Sequence, residues 1–301
     1  MLPILVRLLF AGLLVAAVAA RADSRAPTVS DRPNILWITA EDIGPLLGSY
    51  GDPLAETPSL DRLADTGLRF EHAYANYPVC APARSTLIFG VYASTLGTEH
   101  MRSWQPVPPW FRLLPQYLRM AGYYTSNNAK TDYNFRGNWD AVWDDSGPGA
   151  HYRNRPPGRP FFAVFNLNDT HESRLKPTNV AEDIERGLLP AQPRLAPREL
   201  WLPPYLPEGA VIREDVARQY DLVTALDRRV GELLAELDAA ELADDTLVFF
   251  FGDHGGTLAR SKRFVYDTGT RVPLILRIPE RFAALAPESR TGVSERLVSV
   301  S

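Results

Sequence analysis

Three short, unbroken apolar runs constrain the fold more than anything else in the chain. They are Asn34-Ile35-Leu36-Trp37-Ile38-Thr39, Phe161-Phe162-Ala163-Val164-Phe165-Asn166-Leu167 and Thr246-Leu247-Val248-Phe249-Phe250-Phe251. Each lacks the polar alternation of a half-exposed strand, so each reads as a strand buried on both faces. Helical patterns lie between them. Thr57-Pro58 starts one, with a hydroxyl at the cap, proline in the first turn, and Leu60, Leu63, Ala64 and Gly67 at helical spacing. Leu113 to Ala121 is a second, closed by Gly122. Glu214 to about Ala240 is the clearest, with Tyr220, Val223, Leu226, Val230, Leu233, Leu234 and Leu237 along one side. A last strand is expected over Val272–Ile278. Strands alternating with helices predict an α/β domain whose mostly parallel central sheet is flanked by helices. Residues 136–160 and 176–210, rich in proline or glycine and poor in periodicity, are expected to be loops that shape an entrance.

The 301 residues are 45% hydrophobic, enough for one large core. A net charge of −4 gives no support to sequence-independent nucleic-acid binding, which needs a basic face. Any anionic substrate must therefore meet a local cluster of cations. At the N-terminus, Arg7 precedes a short apolar stretch, Leu8 to Val18, followed by small-residue patterns ending at Ala19 and Ala22. That is the pattern of a secretory signal peptide over residues 1–22, with a mature domain over 23–301 and a membrane met only during export. A membrane anchor is the other reading, but the run is short for a span. Export to a periplasmic, secreted or lumenal space permits disulfides, yet Cys80 is the single cysteine and has no partner within the chain. It is a buried small hydrophobe, an intermolecular link or a reactive group.

Ligand sites in open α/β sheets gather beyond the carboxyl ends of the strands. Two of the apolar runs end there in acid-bearing dipeptides, Glu41-Asp42 and Asp253-His254. Carboxylates converging from separate strands repel one another unless a cation lies between them, and an oxygen-rich set suits Ca²⁺ or Mg²⁺. Helix caps and turn residues explain the same dipeptides equally well, and Gly255-Gly256 fits a plain turn.

The segment Cys80-Ala81-Pro82-Ala83-Arg84-Ser85-Thr86-Leu87, with Gly90 behind it, resembles the signature of type I sulfatases of the alkaline phosphatase superfamily. Other motifs keep the family's order: Pro33-Asn34-Ile35-Leu36, Glu41-Asp42, Thr57-Pro58-Ser59-Leu60-Asp61, Phe70-Glu71-His72-Ala73-Tyr74, Lys130, Asn168-Asp169-Thr170-His171, Gly252-Asp253-His254-Gly255 and Lys262 four residues before Tyr266. The resemblance covers about residues 32–301. It is nearest to sulfamidase-like and polysaccharide sulfatases.

What the resemblance implies is hydrolysis of a sulfate ester or sulfamate on a saccharide. Cys80 would be oxidised to formylglycine by a maturation enzyme. Hydrated to a geminal diol, it would attack sulfur with one hydroxyl and release sulfate by collapse of the other. Glu41, Asp42, Asp253 and His254, beside Cys80, would hold a divalent cation, Ca²⁺ or Mg²⁺. Arg84 would steady the diol, Lys130 and Lys262 would hold sulfate oxygens, and His171 would protonate the leaving atom. Three positions depart from the family pattern. Glu41 stands in place of aspartate, and His254 in place of the commoner asparagine. Asp132 stands where many members have a histidine, so Asp132 or His100 is expected as the base that resets the nucleophile. The chain also ends where sulfatases continue into a C-terminal subdomain, which is expected to be missing. Two rivals stand beside this reading: a formylglycine-dependent phosphonate or phosphodiester hydrolase, and an inactive, truncated carbohydrate-binding protein. Trp104, Trp110, Trp139 and Trp143 are candidates to stack on sugar rings, and core packing explains any one of them at least as well.

Overall fold

The computed structural model describes residues 32–138 and 141–300; the expected signal peptide and Trp139 lie outside them. In chain order the elements are β1 (Asn34–Ala40), α1 (Pro58–Asp65), β2 (Leu68–Tyr74), α2 (Cys80–Phe89), α3 (Ala93–Leu96), β3 (Gln105–Pro106), α4 (Leu114–Met120), β4 (Tyr124–Asn128), β5 (Phe135–Arg136) and β6 (Asp145–Ser146). They continue as β7 (Phe161–Leu167), α5 (Pro177–Glu185), α6 (Ala210–Ala239), β8 (Thr246–Gly252), α7 (Asp267–Thr270), β9 (Leu274–Arg277) and β10 (Gly292–Ser299). Eight strands form one sheet in the order β10-β2-β9-β8-β1-β7-β4-β6, in which only β9 pairs antiparallel to its neighbours.

The apolar runs are continuous because both faces of the sheet are covered. On one face Leu36, Ile38 and Ala40 of β1 and Phe161, Ala163 and Phe165 of β7 pack against Leu60 and Leu63 of α1 and Val223, Leu226 and Val230 of α6. On the other, Phe162 and Val164 meet Ile88 and Phe89 of α2, with Ile35, Trp37 and Leu118 at the margin. Truncating a fully buried leucine such as Leu226 to alanine costs about 2–5 kcal/mol. α1 is tied to α6 by a carboxylate as well. Asp227, 1% exposed, accepts from the backbone N–H groups of Ser59 (3.1 Å) and Leu60 (2.8 Å) at the start of α1. The side chain of Thr57 does not cap this helix, so Asp227 does so from another element.

Several expectations are corrected. α6 begins at Ala210, four residues before the expected start at Glu214. α1 ends at Asp65, so Gly67 is not a helical position. A Cβ on Gly67 would stand 2.8 Å from the carbonyl oxygens of Leu63 and Leu276, and only glycine allows that approach. The segment 176–210 is not all loop: it contains α5, with Pro177 in the first turn. Trp143 is 2% exposed and stacks on Phe162 with ring centroids 5.8 Å apart, so it belongs to the core. Trp104 and Trp110 are exposed.

Candidate active site

Parallel pairing brings the carboxyl ends of β8, β1, β7 and β4 to one edge of the sheet, with Ala40 level with Gly252 and Leu167, and Phe165 level with Asn128. Glu41-Asp42, Asp253-His254, His171 and Lys130 all follow directly from these ends. Asp42 takes a left-handed φ of 53°, a conformation that short polar aspartate tolerates better than a branched residue. Gly255 is more than a turn residue. A Cβ there would stand 2.2 Å from the carbonyl oxygen of Thr268, so the chain after His254 presses against the start of α7. Cys80 enters as the first residue of α2, where the helix end favours negative charge.

Cys80 is 1% exposed. Its Sγ lies 3.4 Å from His254 Nε2 and 4.0 Å from Asp42 Oδ1. Ligand atoms of Asp42, Cys80 and His254 all lie within 4.8 Å of one another. Asp253, fully buried, accepts through Oδ1 from the backbone N–H groups of Asp42 (3.2 Å) and His254 (2.9 Å). Its Oδ2 has no hydrogen-bond partner among the described residues. A buried carboxylate oxygen left without a donor is costly unless a cation meets it. These residues therefore fit a divalent cation held by Asp42, Asp253 and His254 beside Cys80. Glu41 is turned elsewhere, toward Lys130, whose Nζ is 2.7 Å from Glu41 Oε1.

Charges balance closely. Lys262 Nζ sits 2.7 and 2.9 Å from the two oxygens of Asp42. Burial alone would raise the Asp42 pKa, but the His254 hydrogen bond and charge, with Lys262, hold it well below the usual carboxylate range. Burial likewise opposes protonation of His254, and Asp253 and Asp42 overcome it, raising the imidazole well above its ordinary value. The Cys80 thiol is raised by burial but lowered further by hydrogen bonds to His171 and His254, so the net shift is downward. His171 Nδ1 accepts the backbone N–H of Ser173 at 3.3 Å, which leaves Nε2 as the ring nitrogen turned toward the site. That nitrogen lies 3.4 Å from Lys262 Nζ and 3.9 Å from Glu41 Oε2.

Arg84, 2% exposed, spends three of its five N–H donors on structure. It bonds the carbonyls of Thr131 (3.0 Å) and Lys130 (2.8 Å) and Asn166 Oδ1 (2.6 Å). It fixes the loop that carries Lys130. Asp132 binds Arg102 through both oxygens at 3.1 Å and lies 3.9 Å from Lys130. The His100 side chain is 81% exposed and its recorded ionic neighbour is Glu99, so the structure does not bring it to Cys80.

Sequence reasoning passed over three residues of the site. Asn166 ends the apolar run of β7 and uses both ends of its amide. It accepts from Thr39 Oγ1 and Arg84, and donates to Asn127 Oδ1 (3.0 Å) and the Asn128 carbonyl (3.1 Å). A lone amide in such a run was the available signal. Glu172 takes a double hydrogen bond from Arg263, which brings its carboxyl down to about 2, and its N–H donates to Asp42 Oδ2 at 2.7 Å. Arg263, at φ 76°, therefore braces the His171 turn, and no local pattern announced that pairing.

Together these groups surround Cys80 with cations, carboxylates and two imidazoles, an arrangement that can receive an anion. The sulfatase family model matches residues 33–301. An ulvan-active sulfatase of Formosa agariphila is 38% identical over 291 residues, 84% of this chain and 49% of that protein. Human iduronate 2-sulfatase is 28% identical, with 94% of this chain and 66% of that protein covered. The chain thus spans about half to two thirds of the curated relatives it matches. Among solved structures, a Bacteroides thetaiotaomicron protein tied to metabolism of multiple glycosaminoglycans superposes with a TM-score of 0.73 at 17% identity, covering 89% of this chain and 70% of that one. The phosphonate monoester hydrolase of Agrobacterium radiobacter gives 0.64 at 18%, covering 89% and 71%. The fold is therefore shared with a phosphonate monoester hydrolase as well, and the family model over residues 33–301 shows that this chain belongs to the sulfatase family.

Proposed function

We propose that the protein hydrolyses sulfate esters or sulfamates of saccharides, with Cys80 oxidised to formylglycine by a maturation enzyme that uses an external oxidant. The observation that carries this is Cys80 at the head of α2, buried among Asp42, His254, His171 and Lys262. A thiol there has no evident structural task, since apolar neighbours would pack a small hydrophobe better. Matches named for ulvan, iduronate and N-sulphoglucosamine support a sulfated saccharide as substrate.

A divalent cation, Ca²⁺ in this reading, supplies Lewis-acid charge beside the nucleophile, held by Asp42, Asp253 and His254. Glu41 completes that set when Lys130 turns from it to the sulfate. Lys130 and Lys262 neutralise sulfate oxygens as charge builds on them. One hydroxyl of the hydrated Cys80 aldehyde forms the bond to sulfur as the bond to the sugar oxygen or nitrogen breaks. His171 Nε2–H gives its proton to that leaving atom. Loss of a proton from the second hydroxyl, to Asp132 in this reading, re-forms the aldehyde and expels sulfate. Residues 1–22 are read as the export signal, which would put this chemistry outside the cytoplasm.

The test is to co-express the chain with a maturation enzyme and establish by mass spectrometry that the Cys80 peptide carries the aldehyde. An aryl sulfate and defined sulfated saccharides are then assayed beside a phosphonate and a phosphodiester. The reading predicts sulfate release that Cys80→Ala abolishes and that chelation suppresses. Faster turnover of the phosphorus substrates, or no turnover by matured protein, would sink it.

A further inference from the structure

Cys80 itself is buried, but Glu41, Lys130 and His171 beside it open onto a cleft much larger than one sulfate needs. The cavity has a volume of about 920 Å³, with those three residues on its near wall. Its far wall is built from α6 and from the end of α5, and carries Arg229 and Arg186. A single sulfated hexose does not fill such a space, and a neighbouring sugar unit has room within it.

The two far-wall arginines differ from those around them. Arg102 is held by Asp132, Arg174 by Asp183, and Glu236 is taken up by His151 (2.8 Å), Arg153 (3.0 Å) and the Tyr152 hydroxyl (2.8 Å). Arg186 and Arg229 donate no side-chain hydrogen bond among the described residues. Each has only a distant ionic neighbour. Arg186 lies 3.9 Å from Asp183, a carboxylate already bonded to Arg174. Arg229 lies 3.8 Å from Glu232, in a pair whose side chains are 57% and 70% exposed. Asp169 lines the same cavity and its carboxyl feels the Arg229 charge, but no hydrogen bond or ion pair joins the two among the described residues. Two guanidinium forks with open donors thus face a cavity in an otherwise net-acidic chain. Arginine's planar fork matches the paired oxygens of a carboxylate or sulfate.

We infer that Arg186 and Arg229 form a second anion subsite, which holds a carboxylate or sulfate on the sugar next to the one that loses its sulfate. The substrate is then a polyanionic saccharide, and these residues select it without touching the reacting atoms. This rests on the sulfatase reading above and adds to it a neighbour requirement.

The experiment uses matured full-length chain and the variants Arg186→Gln, Arg229→Gln and both together. Substrates are an aryl sulfate and three sulfated disaccharides whose second sugar bears a uronate carboxylate, a sulfate or no charge. For wild type, KM should be lower by about tenfold with at least one charged neighbour than with the neutral one, and whichever charged arm gains identifies the anion. The double variant should raise KM on that substrate by roughly ten- to thirtyfold with kcat unchanged. It should leave the aryl sulfate alone, and Arg229→Lys should restore part of the loss. Equal KM for neutral and charged neighbours, or a double variant that binds as wild type does, overturns the subsite. If matured wild type turns over nothing, the activity reading fails instead. The subsite is then decided by calorimetric binding of the same disaccharides to Cys80→Ala protein, with and without the two arginines. Weaker binding of the charged disaccharide without them supports it, and equal binding overturns it.

Discussion

Asn166→Leu removes the amide at the end of β7 while keeping its volume nearly constant. Four hydrogen bonds go at once: from Thr39 (2.9 Å), from Arg84 (2.6 Å), and to Asn127 (3.0 Å) and the Asn128 carbonyl (3.1 Å). The full sum of four bonds overstates the cost, because three partners have a second contact. Thr39 also reaches the Phe165 carbonyl, Arg84 keeps the carbonyls of Lys130 and Thr131, and Asn127 Oδ1 keeps the Tyr133 hydroxyl. At about 1 kcal/mol for a neutral bond and somewhat more for a charged one, the net cost is about 2–3 kcal/mol. In a domain of this size that lowers Tm by roughly 5–10 °C. Function should fall further than stability. The freed segment carries Lys130, and a shift of about 1 Å in such a group costs on the order of a hundredfold in kcat. Asn166→Asp keeps the two accepted bonds but turns a carboxylate oxygen toward the Asn127 and Asn128 oxygens, so it too should destabilise the segment. Thermal melts with aryl sulfate turnover, on protein whose Cys80 peptide is shown to be matured, provide the measurement. A leucine variant that melts within about 1 °C of the parent refutes the network. One that melts early but turns over normally refutes the claim that Asn166 positions Lys130.

Two further outcomes concern the frame around the site. Asp227→Ala strips the α1 N-terminus of the acceptor supplied by α6, and should lower stability by about 2 kcal/mol in denaturant titration, with turnover per folded molecule unchanged. Glu71 is paired with Arg69 at 2.5 Å and with Arg271; burial pushes its carboxyl up, and the two arginines more than reverse this, so its folded pKa lies below the ordinary 4.5. The stabilisation is therefore present above pH about 4.5 and lost as pH falls through the folded value. Glu71→Gln should cost about 0.5–1 kcal/mol near neutrality, with the gap closing in acid; a gap constant across pH would count against the pairing.

The strands were legible because burial on both faces leaves an unbroken apolar signature, and the acids at their ends because parallel strands share one carboxyl edge. Asp42 and His254 lie beside Cys80, a neighbourhood that the resemblance and not the spacing implied, and Glu41 turns to Lys130, a choice made by charges 89 residues apart in the sequence. α5 was hidden by the prolines on either side of it, although Pro177 itself sits comfortably in a first turn. Trp143 could be read either way because its surroundings are polar in sequence, while the partner that puts it in the core, Phe162, arrives from β7. Glu172 and Arg263 could not be paired from the sequence, since nothing local says that the turn after β7 and the segment before α7 meet.

The depth of Cys80 has a consequence for the order of events in the protein's life. With 1% of its surface exposed and its helix seated against the sheet, the thiol can be reached by no second protein once the fold has closed. Asp42, His254 and Lys262, which surround it, arrive from segments as much as 220 residues apart. If Cys80 is the residue that is oxidised, the oxidation must come while residues 78–90 are still an open peptide, and it must be complete before the later half of the chain arrives. The short motif around it would then be read twice: first as a linear tag by the maturation enzyme, and afterwards as a helix by the rest of the molecule.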